Sequence, residues 1–266
     1  MKPKVSIITI SYNSEDTIEQ TIQSVLSQTY DNVEYVVIDA GSTDRTVEIV
    51  NRYKDKIAYF ISEPDKGISD GFNKGITAAT GDIIGICNSN DVLLSDAVQK
   101  IVDVYEENVE VYRASELVRN FDTGYEYILH PTMTFKKIPT LFHVCHMGCY
   151  IKKKAFDKYG LYDVAFKNSM DLELLFRFHR KGAVMKEVDA VVGIFRLGGV
   201  SQAGEKVKRN ECREIIRRNG GSVFDEYYFL TYLWAKGKVK KLLNLFGKDT
   251  ASKARFGVKK WWKIKK

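Results

Sequence analysis

Ser62-Glu63-Pro64-Asp65-Lys66-Gly67-Ile68-Ser69-Asp70-Gly71-Phe72-Asn73-Lys74-Gly75, followed by Thr80-Gly81-Asp82-Ile83-Ile84-Gly85-Ile86-Cys87-Asn88-Ser89-Asn90-Asp91, reads as a polar loop, a helix and a short strand. The helix opens at Gly67, because Ile68, Phe72, Ile76 and Ala79 recur on one face of a 3.6-residue period. Ile83 to Cys87 is an apolar run that ends in amides and a carboxylate. A polar cluster where a buried strand leaves its sheet is where open α/β proteins place ligands.

Upstream, the pattern repeats. Val5 to Ile10 is a β-branched run suited to a buried parallel strand, with Ser11-Tyr12-Asn13 as its polar exit. Ser14 is placed to cap the helix carrying Ile18, Ile22, Val25 and Leu26. Val33 to Ile38 is a second strand and ends in the turn Asp39-Ala40-Gly41-Ser42-Thr43-Asp44. Ile57 to Ile61 is a third. Strands alternating with helices at this spacing predict right-handed crossovers and a mostly parallel sheet flanked by helices. The three polar exits then converge on one crevice. Each acid there also has a plain structural reading, since Asp39 and Asp171 both sit where a carboxylate can cap a helix.

At 266 residues and 44% hydrophobic the chain can bury a full α/β core with an appendage. No apolar run reaches the length of a membrane span, and no leading cleavable segment is recognised, so a cytoplasmic protein is expected. Four cysteines make no disulfide framework, and Cys145 to Cys149 lacks the second ligand pair that a structural zinc needs. Neither Gly-x-Gly-x-x-Gly after the first strand nor Gly-x-x-x-x-Gly-Lys occurs, which removes the usual dinucleotide and P-loop sites. Carboxylates in the crevice would repel a diphosphate, and a divalent cation on Asp91 would reverse that repulsion.

Val5 to Asn13, the Asp39 to Asp44 turn and the Ser62 to Gly75 stretch together resemble family-two glycosyltransferases of the GT-A fold, notably those that build bacterial O-antigen and capsule polysaccharides. The resemblance continues through Cys145 to Gly160 and Asn168 to Arg177. It implies an inverting transfer from a nucleotide sugar, usually a UDP sugar, helped by Mg or Mn. Tyr12, Asn13 and Asp39 would hold base and ribose; Asp70 and Asn73 would lie along the donor, with Lys66 near its sugar or diphosphate. Asp91 would be the metal carboxylate, with Asn88 and Asn90 where relatives often carry acids. Asp171 matches the catalytic base, with Glu173 beside it in place of the commoner Asp, and His146 matches a position near the acceptor. Gly198-Gly199-Val200-Ser201 resembles a loop that closes over the donor. The same resemblance leaves a runner-up, a catalytically weak nucleotide-sugar-binding scaffold of a polysaccharide assembly complex.

The net charge of +7 is unevenly spread. Lys236 to Lys266 carries twelve Lys or Arg against the single acid Asp249, so the rest of the chain is mildly acidic. Charge alone fits membrane lipid or nucleic acid. Val239, Leu242, Leu243 and Phe246, then Phe256, Trp261, Trp262 and Ile264, are interleaved with these cations. That pattern favours an anionic membrane surface and peripheral attachment over nucleic acid. The expected division is a GT-A domain over residues 1–200 and a helical basic extension over 201–266, with a glycan or polyprenyl-linked acceptor.

Overall fold

The computed structural model describes residues 2–131, 144–197 and 205–247, the side chains of 205 and 240 excepted. The Gly198 to Ser201 loop and the tail from Lys248, with Phe256, Trp261 and Trp262, lie outside the described residues.

The β-branched runs form the strands. β1 (Val5–Ser11) pairs in parallel with β2 (Val33–Asp39) and β4 (Ile83–Ile86), and β3 (Tyr59–Ser62) adds in parallel outside β2. Side chains alternate between two cores. Ile8, Val36, Ile38, Ile84 and Ile86 face one, while Val5, Ile7, Tyr35, Val37 and Ile83 face the other. Helices α1 (Ile18–Leu26), α2 (Thr46–Asn51) and α4 (Ala97–Asp103) cover the second face. The first face is covered by α3 (Ile68–Ala78), α5 (Lys153–Tyr159) and α6 (Met170–Arg180). Both faces are therefore dry, as the continuous apolar strands require.

α3 lies very close to the sheet. A Cβ on Gly75 would meet Ile8 Cγ2 at 2.4 Å, so the approach depends on glycine there. Phe72, Ile76 and Ala79 are buried beneath it. Ser14 differs from its expected capping role. The helix starts at Ile18 with no side-chain cap, and Ser14 Oγ instead meets Ser89 Oγ at 2.8 Å. A hydroxyl that ties two strand exits together is unavailable to a helix end four residues on.

The second half completes the sheet with β5 (Val92–Leu93), β6 (Val111–Arg119), β7 (Glu126–Leu129), β8 (Cys149–Lys152) and β9 (Met185–Arg196). The order is β3-β2-β1-β4-β8-β6-β9-β5, with β7 also on β6. β8 runs antiparallel between β4 and β6, while β9 runs parallel to β6 and delivers Arg196 to the same edge as the first exits.

The extension is not a separate unit at its start. On α7 (Glu205–Arg218), Ile215 joins the first core, and the Glu211 carboxylate accepts from the backbone N–H of Lys167 (2.6 Å), Asn168 (3.1 Å) and Ser169 (2.8 Å). α8 (Val223–Asn244) opens with a Ser222/Asp225 capping box and packs Phe229 and Leu233 toward α7. Away from that contact α8 exposes apolar side chains, Phe224 and Tyr227 near its start and Trp234 and Leu242 farther along, with Phe246 exposed just after its end.

Candidate active site

The strand exits meet because the pairing register aligns them, with Ser11 opposite Asp39 and Asp39 opposite Ser62. Asp39 is fully buried at their centre. Its Oδ1 accepts from Ser11 Oγ (2.9 Å) and Ser42 Oγ (2.5 Å), and its Oδ2 from Gly41 N (3.1 Å), Ser42 N (2.8 Å) and Ser62 Oγ (2.7 Å). Five donors occupy the lone pairs of this carboxylate, so it shapes the loops of three exits. Asn13 joins the same knot. At φ 45° it holds the left-handed conformation that Asn tolerates, and its Oδ1 accepts from Thr43 N at 2.9 Å. Tyr12 beside it leaves its ring exposed at the lip.

Asp91 leaves β4 next to these loops and is fully buried. Its Oδ2 accepts from Asn88 Nδ2 at 3.1 Å and its Oδ1 from the backbone N–H of Arg196 at 3.1 Å. Burial pushes its carboxyl up to about 6; the Arg196 amide, the Asn88 amide and the Arg196 charge hold it from rising further. The Arg196 side chain folds over the exit, with Nε to the Asn90 carbonyl at 3.3 Å and Nη2 to Gln20 Oε1 at 3.3 Å. Its guanidinium lies 3.8 Å from the centroid of the Phe121 ring.

These donors bear on the expected cation. Each oxygen of Asp91 faces an N–H, the neighbouring Asn88 presents its N–H rather than its oxygen, and no group of three or more His, Cys, Asp or Glu among the described residues can hold a metal ion. Mg and Mn are commonly held by one or two carboxylates together with the phosphates of a bound substrate, so Asp91 is the residue here that would hold such a cation, its N–H partners giving way on one side.

At the start of α3, Asp70 accepts from the backbone N–H of Lys66 at 3.0 Å and stands 3.8 Å from Lys74 Nζ. The Lys66 side chain is exposed. Asn73 is spent internally. Its Nδ2 donates to the Tyr162 carbonyl and its Oδ1 accepts from Tyr162 N, both at 2.9 Å, which pins the loop before α6. It positions Tyr162.

Tyr162 in turn places His146, whose Nε2 lies 2.9 Å from the Tyr162 hydroxyl and whose ring meets Phe72 edge-on at 5.0 Å. His146, Cys149, Tyr162, Asp171, Leu174 and Leu175 line one narrow crevice, too tight as it stands to admit a water molecule. Burial pushes the His146 imidazole down, against the pull of the Asp171 charge, so the ring is neutral at pH 7. Asp171 stands in the first turn of α6, where the helix N-terminus favours its negative charge. Glu173 is not with it. Two helical residues are about 200° around the axis, so Glu173 turns away to pair with Arg177 at 2.9 Å and to line a cleft of about 340 Å³ between α6 and α7.

Thus Tyr12, Asn13, Asp39, Asn90 and Asp91 share one connected rim, and His146 and Asp171 line one narrow crevice. Asn73 and Glu173 have structural duties, and Lys66 stays at the periphery. Glu116, Tyr162, Arg196 and Glu211 were not singled out in the sequence. Glu116 on β6 is buried and lies in the field of both Asp91 and Asp171, and burial drives its carboxyl well above the usual range.

The family model for glycosyl transferase family 2 matches residues 6–160, more than half of the chain. An uncharacterized glycosyltransferase of Rickettsia typhi is 30% identical over 203 residues, covering 71% of this chain and 63% of that protein, so the chain spans less than two thirds of this relative's length. The Escherichia coli UDP-Glc:alpha-D-GlcNAc-diphosphoundecaprenol beta-1,3-glucosyltransferase WfaP is 27% identical over 81% of this chain and 84% of its own. In fold, the chain is similar to S. aureus TarS solved with UDP (TM-score 0.64, 18% identity, 81% of this chain and 65% of that one). It is also similar to the Pyrobaculum calidifontis mannosyltransferase PcManGT solved with GDP-Man and Mn2+ (TM-score 0.63, 17% identity, 96% and 74%).

Proposed function

Because the chain belongs to glycosyl transferase family 2, we propose that it transfers a sugar from a nucleotide sugar, a UDP sugar by expectation, to a lipid-linked or glycan acceptor in bacterial surface polysaccharide synthesis. The observation that carries the reading is that Asp171 and His146 line one narrow crevice, in a chain whose parallel strand exits are knotted together around Asp39. The exposed Tyr12 ring offers a face for the base, and the Asn13 and Asp39 loops offer backbone to the ribose. An acceptor hydroxyl entering over His146 attacks the anomeric carbon while Asp171 takes its proton. The new C–O bond forms as the bond to the diphosphate breaks. The nucleoside diphosphate leaves with the electron pair, and the configuration inverts. WfaP, which by name uses UDP-Glc and a diphosphoundecaprenol acceptor, supports the donor and acceptor classes.

Thermal shift with UDP-glucose, UDP-N-acetylglucosamine and GDP-mannose tests the reading. At least one should raise the melting temperature more than its bare nucleotide does, and no shift with any would contradict it. The scaffold reading is favoured by one observation, the N–H groups that cover Asp91; binding with no turnover would select it.

The extension supports peripheral attachment. No described helix is long and apolar enough to cross a membrane, yet α8 exposes aromatic and aliphatic side chains beside Lys236, Lys238 and Lys241. Cosedimentation with phosphatidylglycerol vesicles, lost when Phe224 and Trp234 are both replaced by Ser, is the expected result; unchanged sedimentation would remove the membrane from the reading.

A further inference from the structure

Glu116 is a buried acid that takes no part in the transfer as derived above and, unlike Glu34, Glu110, Glu173, Glu211 and Glu226, has no Lys or Arg partner or backbone anchor through both oxygens among the described residues. It sits where β6 and β9 fall out of step. Against β9, Ser115 pairs with Val191 and Leu117 with Ile194, so Glu116 is passed over there, while β7 pairs it with Leu129. Irregularities of this kind re-aim a side chain, and they recur next to active sites.

One end of the carboxyl is fixed. The Met147 backbone N–H bonds to it, and the Cys145 to Cys149 segment that brings this amide lies tightly on β6, with Ala114 N donating to the Gly148 carbonyl at 2.9 Å. A Cβ on Gly148 would meet the Ala114 carbonyl oxygen at 2.1 Å, so the clamp requires glycine. The other end is open. Oε2 is buried and has no hydrogen-bond partner among the described residues, although Glu116 is only 3% exposed. A buried polar atom left unpaired is costly, and native chains keep few of them.

Its surroundings indicate what completes it. The charges acting on Glu116 are those of Asp91, at the exit of β4, and Asp171, at the start of α6. His146 is the residue before the amide that holds it. A donor whose diphosphate lies toward Asp91 and whose anomeric carbon faces the acceptor at Asp171 carries its sugar ring across the space between them. We propose that Glu116 is a specificity-determining residue whose Oε2 pairs with a hydroxyl of the sugar ring being transferred. This rests on the donor reading above and adds to it the group that reads the sugar. Sites with a buried polar atom waiting for a hydroxyl reject analogues that lack it, because the atom is then stranded.

Calorimetric binding of UDP-glucose, UDP-N-acetylglucosamine and GDP-mannose, each against UDP or GDP alone, tests the proposal in wild type, Glu116→Met and Glu116→Gln. The best nucleotide sugar should bind wild type more tightly than its bare nucleotide. Glu116→Met should lose about 10-fold or more of that gain, with the bare nucleotide's affinity unmoved; Glu116→Gln, which keeps a polar atom at this place, should lose less. A gain that survives intact in Glu116→Met overturns the proposal and leaves the donor reading standing. A wild-type chain that gains nothing from any sugar overturns both. Should Glu116→Met fail to fold, Glu116→Gln and wild type are compared on deoxy analogues of the best donor. Equal discrimination by the two against every analogue is then the overturning result.

Discussion

Asp171→Asn should lower sugar transfer by about 10²- to 10⁴-fold while nucleotide-sugar affinity stays within about threefold, the range expected when a positioned base is removed. The substitution is close to isosteric. It keeps the oxygen that Leu172 N approaches at 2.7 Å, and it leaves the apolar anchors of α6, Met170, Leu174 and Phe178, in the core. What it removes is the ability to take a proton beside His146, whose neutral ring and Tyr162 partner stay in place. Rate and affinity should therefore separate. Steady-state transfer measured beside donor calorimetry checks this, and a variant that transfers at the wild-type rate would strip Asp171 of its role.

Asp91→Asn should stabilise the fold at pH 7.5 even as it impairs transfer. The Asp91 carboxyl titrates at about 6 in the folded chain and near 3.9 when unfolded, a gap worth roughly 3 kcal/mol. Because the folded value is the higher one, the associated stability is complete below about pH 3.9 and disappears as pH rises through about 6. At pH 7.5 the wild type therefore carries a buried charge, offset in part by Arg196, that an amide does not. Asn offers an oxygen to one of the two N–H groups now held by Asp91, so some of the gain is lost again. A rise of several degrees in Tm at pH 7.5, shrinking to nothing near pH 4, is expected from thermal melts. Equal melting of the two proteins at pH 7.5 would show that Asp91 is not strained by its burial.

The first half of the chain was legible because its signals are local. Continuous apolar runs announced strands buried on both faces, Gly67 followed by Phe72 and Ile76 announced α3, and each polar exit stood in sequence directly after its strand. The parallel register then placed Ser11, Asp39 and Ser62 side by side, as chain order implied. Other features depend on partners far along the chain. That Asp39 would be saturated by Ser11, Ser42 and Ser62, or Asn73 spent on Tyr162, follows from tertiary packing and has no sequence period. Glu211 supports the turn before Asp171 from more than forty residues away. Glu173 shows the reverse. Its motif spacing suggested a site role, but the pitch of α6 alone turns it toward Arg177. Glu116 gave no signal, since an acid in a strand that also carries Arg113, Ser115 and Arg119 looks like a solvent-facing residue until the strand is found in the middle of the sheet.

The most direct measurement is proton NMR of the sugar first released or transferred from an α-linked nucleotide donor. Attack under Asp171 from the face opposite the leaving diphosphate yields the β anomer before mutarotation. An α product from the same donor would contradict single-step displacement at this site, and the assignment of Asp171 with it.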